Sequence, residues 1–386
     1  MVATGRHTAP SADLGCETAE GWPDNQVHGL GARPTVTAMT GALTVRALDP
    51  WDDELLGRYH GVIEAATLHQ RPGMPTWTLR EIQAELRHDD GAERSEPFAA
   101  FDGGQLVGAG AVWFPLLDNT WMVWGGVFVP PERRRRGIGT ALAGWMANRA
   151  EQEGRTHLVT TVDLPIDQRD THPYRRFAEH VGYAVASVEI RRRLALPVDP
   201  AMLDELAVEA AQHHSAYRIE AHTGLLPDHL LPSYCAAAGR LAIDAPTGDL
   251  AFEQEALTPE VLRQRDVMHR AAGRERLATV ALDAAGQVVA YNDLIVPEGD
   301  YQHVDQWGTL VVPEHRGHRL GLAVKVAGLR ELARRHPERT GVYTTNSEVN
   351  GPMIAINERL GFRPIELAAD CQRILAPARD ATEPIP

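Results

Sequence analysis

Residues 130–146 read PPERRRRGIGTALAGWM, so four consecutive arginines, Arg133 to Arg136, run into Gly137-Ile-Gly139 and then into an apolar helical pattern. That combination can hold an anion. A turn from strand to helix leaves backbone N–H groups unpaired, and the helix dipole adds partial positive charge. Glycine lets the backbone approach closely, and phosphates bind at such turns. The preceding VWGGVFV, 123–129, is β-prone and is ended by Pro130-Pro131. Leu142, Trp145 and Met146 follow at i, i+3 and i+4, one apolar helix face. Neither the dinucleotide pattern GxGxxG nor a P-loop fits, because Gly139 is followed by Thr140-Ala-Leu. A bare charge run is more often a solvated helix end, so the rest of the chain must decide.

The same element recurs. VFVPPERRRRGIGTAL (127–142) aligns with TLVVPEHRGHRLGLAV (309–324) at an offset of 182, placing Arg134 on Arg316 and Gly139 on Gly321. FDGGQLVGAGAVW (101–113) aligns with LDAAGQVVAYNDL (282–294) at the same offset, and FAEHVGY (177–183) with INERLGF (356–362) at 179. Three blocks in one order at nearly one spacing imply two copies of one domain. Each copy reads as strand, helices, hairpin, strand-loop-helix, strand, helix, strand, which implies an α/β domain with helices packed on a mixed sheet. The divisions expected are a disordered leader over 1–41, a first copy over 42–196, a helical linker over 197–216, a second copy over 217–376 and a tail over 377–386.

Composition narrows the functions. The net charge of −14 argues against a nucleic-acid binder, which needs many basic contacts. No apolar run is long enough to span a membrane, and the first 40 residues lack a signal-peptide pattern, so a cytoplasmic location is expected. Cys16, Cys235 and Cys371 lie too far apart for a disulfide framework or a CxxC zinc site. His315 and His318 form an HxxH inside a basic loop with no carboxylate or cysteine beside it, so no metal is expected.

The blocks together, Pro-x-x-Arg-x-x-Gly-x-Gly after a strand and NGPMIAINERLGF (350–362) later, resemble the GNAT acyltransferases, which use acyl-coenzyme A. Arg134-x-x-Gly137-x-Gly139 matches their signature fully; Arg316-x-x-Arg319-x-Gly321 departs at Arg319. The resemblance covers about 43–375 in tandem, as in mycothiol-synthase-like members. It implies a mixed sheet whose central strands splay to admit pantetheine, with the pyrophosphate on the arginine-glycine turn. It also implies cofactor contacts from Val127, Val129, Arg134, Arg135, Gly137, Gly139 and Thr140 in the first copy. In the second copy the corresponding set is Leu310, Val312, Arg316, Gly317, Arg319, Gly321, Leu322, Asn346 and Asn350. For Asn350, capping the following helix is an equal reading.

Amine acylation by a thioester needs a base, an oxyanion donor and a proton or hydrogen bond for the leaving sulfur. Asp305 matches by position the glutamate that mycothiol-synthase-like members use as base, whereas the first copy has Val123 there and Asp118 only in a nearby turn. The family's tyrosine acid falls on Asn357, which can only donate a hydrogen bond, and on Ala178 in the first copy. The second copy is therefore the expected catalytic half. The expected activity is acetyl transfer from acetyl-CoA to the primary amine of a small molecule, by a monomeric pseudo-dimer or a homodimer. Transfer from an acyl carrier protein and a catalytically inactive acyl-CoA binder are the alternatives.

Overall fold

Most element boundaries follow from local chemistry. A computed structural model of the chain describes residues 43–71, 75–299 and 302–375; the expected leader at 1–41 and tail at 377–386 lie outside them. The first repeat runs β1 (Thr44–Ala47), α1 (Asp53–Thr67), α2 (Leu79–Arg87), β2 (Glu93–Asp102), β3 (Gln105–Pro115) and β4 (Met122–Phe128). It continues with α3 (Ile138–Gln152), β5 (His157–Leu164), α4 (Pro173–His180) and β6 (Ala184–Ala195). Asp52 caps α1 by accepting from the Leu55 amide at 2.9 Å, and Thr78 with Glu81 forms a reciprocal capping box on α2. Gly103 and Gly104, both at positive φ, make the tight turn between β2 and β3.

The linker is helical as expected: α5 (Pro200–Ala211) buries Leu203, Leu206 and Ala210 against the second repeat. That repeat runs β7 (Arg218–Thr223), α6 (Leu231–Gly239), α7 (Leu241–Asp244), α8 (Pro259–Ala271), β8 (Arg274–Leu282) and β9 (Val288–Pro297). It closes with β10 (Val304–Val311), α9 (Leu320–Arg335), β11 (Gly341–Ser347), α10 (Gly351–Leu360) and β12 (Arg363–Ile374).

All twelve strands form one mixed sheet in the order β1-β2-β3-β4-β5-β12-β6-β11-β10-β9-β8-β7. The repeats exchange their final strands. β6, which ends the first repeat in sequence, pairs with β11 of the second, and β12 pairs with β5 of the first. β6 and β12 also pair with each other, so they form the seam. The boundaries read as 42–196 and 217–376 therefore mark two repeats, not two separable domains. Without the exchanged strands, β5 and β11 would each present an unpaired edge.

Candidate functional site

In each half two parallel strands start paired and then part. β4 and β5 pair only from Met122↔His157 to Trp124↔Val159, after which β4 follows β3 and β5 follows β12. β10 and β11 likewise pair only from Val304↔Val342 to Gln306↔Thr344. Along the parted edges, backbone amides that a neighbouring strand would take up instead face the gap.

The two turns before α3 and α9 share one backbone shape. Arg135 and Gly317, equivalent positions, have φ of 62° and 88°; Gly137 and Arg319, also equivalent, have 78° and 54°. Each turn thus holds one glycine and one arginine in the left-handed region, so Arg319 leaves the turn intact at a cost of about 1–2 kcal/mol. The motif arginine is a pin in both: Arg134 Nε donates to the Val129 carbonyl at 2.9 Å and Arg316 Nε to the Val311 carbonyl at 3.1 Å. The second glycine serves close packing. A Cβ at Gly139 would meet the Phe177 ring at 3.0 Å, and one at Gly321 would meet Ile356 at 3.3 Å.

Beyond the turns the two halves diverge. In the N-terminal half a cavity of about 910 Å³ is lined by Val127, Val129, Arg133, Arg134, Arg135, Gly137, Gly139 and Thr140. It passes between Ala143 on α3 and Ala178 on α4 and along the parted ends of β4 and β5. All seven residues expected for the cofactor in this half line it. Its volume lies toward the upper end of the roughly 300–1,000 Å³ of small-molecule sites.

In the C-terminal half the equivalents of Ala143 and Ala178 are Lys325 and Asn357. Lys325 is the chain's single lysine beside 37 arginines, and it is 1% exposed. Its Nζ donates to Asn357 Oδ1 at 2.9 Å; Asn357 Nδ2 donates to Asn346 Oδ1 at 3.1 Å, where Arg192 also donates at 3.0 Å. These buried side chains occupy the space between α9 and α10 that stays open between α3 and α4. Burial lowers the Lys325 pKa to about 7. The folded state therefore holds fewer protons than the unfolded chain between about pH 7 and 10. Stability should rise with pH across that window, by on the order of 1 kcal/mol per unit, and Lys325→Met should remove the slope in denaturant titrations at several pH values.

The residues expected to be catalytic are not brought to the cavity. Asp305 lies on β10, part-exposed and 3.6 Å from His303, and Asn357 is spent on Lys325. Neither lines the cavity, and neither do Leu310, Val312, Arg316, Gly317, Arg319, Gly321, Leu322, Asn346 or Asn350. Leu310 and Leu322 are core residues, Arg319 is paired with Glu209 at 2.7 Å, and Asn350 caps α10 by accepting from the Met353 amide at 3.3 Å. The structure thus moves the candidate site to the N-terminal half. Asp305→Asn should leave turnover unchanged within twofold in a steady-state assay.

The floor beside β5 carries a charge cluster that the sequence did not disclose. Asp163 is held by Arg191 at 2.8 Å and Arg71 at 3.1 Å, and both arginines also reach Glu366 of β12. Further along, the cavity runs between the halves, where α2 packs on α8 and residues of β8 to β10 join the lining. Glu85, Asp90, Arg265, His269, Arg276, Asp293 and Trp307 line this end. Burial raises the carboxyl pKa of Glu85. Burial also pushes Asp90 upward, but His88, backbone amides and Arg265 hold it below the usual carboxylate range. Asp118 belongs to this junction as an anchor, accepting from the Ala256 amide at 2.8 Å and from Asn119. Among the described residues no cluster of three or more metal-ligating side chains occurs, and no helix is long and apolar enough to cross a membrane.

The parted-strand gaps and arginine-glycine turns are those expected of a GNAT fold, and comparison supports that fold. Residues 63–183 match the acetyltransferase (GNAT) family. Over 87% of its length the chain superposes on the whole of a tandem GNAT protein from the clavulanic acid biosynthesis pathway, at TM-score 0.68 and 24% identity. A GCN5-related N-acetyltransferase from Sphaerobacter thermophilus superposes over 88% of this chain and 97% of its own, at TM-score 0.55 and 16% identity. No curated protein sequence matches the chain. The N-terminal half carries the family match, and the chain as a whole has the fold of tandem GNAT proteins.

Proposed function

We propose that the chain is a cytoplasmic, single-chain N-acyltransferase whose N-terminal half takes acyl-coenzyme A, most simply acetyl-CoA, and whose acceptor is a primary amine of a small molecule reaching the thioester from between the halves. The observation that carries this reading is the continuous cavity from the Arg133–Thr140 turn, past Ala143 and Ala178, to side chains of the C-terminal half. The turn suits the pyrophosphate, with Arg133 and Arg135 adding charge while Arg134 pins the backbone. Two alanines leave width for the pantetheine chain. Amides on the parted edge of β4 are placed to meet charge developing on the thioester oxygen.

The attacking nitrogen must shed a proton. Both oxygens of Asp163 are engaged by arginines, so we assign the base role to Glu85, whose carboxyl is raised by burial. The departing thiolate is basic enough at neutral pH for water to reprotonate it, where Ala178 cannot.

The test is thiol release from acetyl-CoA by the full chain with a panel of primary amines. Amine-dependent release supports the reading. Binding of acetyl-CoA without any amine-dependent release would make the chain an inactive acyl-CoA binder, and release from an acyl carrier but not from acetyl-CoA would change the donor.

A further inference from the structure

At the end of the cavity furthest from the arginine-glycine turn, α2 and the start of β2 meet α8, β8, β9 and β10 of the C-terminal half. Glu85, Asp90, Glu93 and Asp293 line it together with Arg265, Arg276, His88 and His269. Both guanidiniums are already engaged: Arg265 with Glu255 at 2.6 Å and Asp90 at 3.3 Å, Arg276 with Asp266. Asp293 on β9 is 6% exposed. Its Oδ2 accepts from the Tyr234 hydroxyl, while its Oδ1 has no hydrogen-bond partner among the described residues. Nearby His269, 7% exposed, has Nδ1 without a hydrogen-bond partner among the described residues and packs its ring 5.0 Å from that of Trp307. A buried carboxylate oxygen left without a donor is costly, so a site that keeps one open in a cavity is complementary to a donor that arrives with the ligand.

The attacking amine cannot be that donor's charge, because it must be neutral to attack. We propose that the acceptor carries a second cationic group besides the amine that is acylated, and that the C-terminal half binds this group through Asp293 Oδ1 beside the His269–Trp307 pair. This rests on the acyl-transfer reading and adds the acceptor's class: a diamine or another dication at neutral pH. It also gives the second repeat a task. Its own cleft is filled by Lys325 and Asn357, and it supplies the acceptor wall for the first. An ammonium on Asp293 forms a charge-assisted hydrogen bond in a dry site, and the Trp307 face adds attraction for a cation. Burial already holds the Asp293 carboxyl above its usual range against the pull of Arg276, and an arriving cation relieves that penalty.

The experiment is calorimetric titration of the full chain, saturated with coenzyme A, with three ligands of matched length: 1,4-diaminobutane, 1-aminobutane and 4-aminobutanoate. The diamine should bind at least tenfold more tightly than the monoamine, and Asp293→Asn should erase most of that ratio. Equal affinity for diamine and monoamine, tighter binding of the amino acid, or a ratio unchanged by Asp293→Asn would overturn the proposal. The comparison of ligands on the unsubstituted chain stands even if the variant folds poorly. Failure of coenzyme A itself to bind would overturn the acyl-transfer reading instead, so the two failures are separable.

Discussion

A chain carrying Ala143→Lys and Ala178→Asn together should bind acetyl-CoA about a thousandfold more weakly than the unsubstituted chain, which should bind one equivalent. The substitutions copy into the N-terminal half the pair that fills the C-terminal cleft, where Lys325 Nζ and Asn357 Oδ1 lie 2.9 Å apart between α9 and α10. Both alanines line the cavity, so the added side chains would occupy the width needed by a pantetheine chain. Losing that segment of contact and leaving the cofactor half-seated costs several kcal/mol, on the order of a thousandfold in affinity. Calorimetry gives stoichiometry and affinity in one titration, and a melting curve checks that the lysine has not simply unfolded the half. Two equivalents bound by the unsubstituted chain, or one still bound as tightly by the double variant, would place the donor in the C-terminal cleft after all.

Glu85→Gln should lower turnover by about 10² to 10⁴ while leaving acetyl-CoA affinity within a factor of two. Glu85 is half-buried on α2 and lines the cavity at the junction between the halves, so it can take the acceptor's proton without touching the donor. Its raised pKa sets the sign of the pH dependence. As pH falls through that value the carboxylate is lost as a base, and the rate should fall with it. The glutamine variant should lack this acid limb and keep only the rise due to deprotonation of the amine. An unchanged pH–rate profile in the variant would exclude Glu85 as the proton acceptor.

The repeat, the strand-turn-helix element and the order of elements were legible in the sequence because each rests on local pattern: periodicity, glycine turns and proline stops. The choice of half was not. Asp305 drew attention because one carboxylate at one position fits amine chemistry, but its strand places it outside the cavity. The decisive residues in the first half are alanines, which carry no chemical signal in one sequence. Lys325 did carry one: it is the chain's single lysine and lies on the apolar face that holds Leu322 and Leu329. A charge there reads as a filled gap once the facing Asn357 is known. The acceptor wall was illegible for another reason. Asp293, His269 and Trp307 belong to the opposite repeat from the arginine-glycine turn they serve, and no local pattern reports a contact between repeats.

The exchanged strands bear on the order in which the protein can be made. The first strand of the half that carries the open cleft, β1, starts at Thr44, yet the strand that flanks its β5 and carries Glu366 is β12, residues 363–374. As the chain emerges from the ribosome, the N-terminal half can collapse early but must wait for almost the last residues before its floor is closed. Every partial product therefore stops short of a finished cleft. A chain cut between Gln152 and Arg363 would hold the whole arginine-glycine turn yet is expected to be inert, so activity itself reports that synthesis has passed β12.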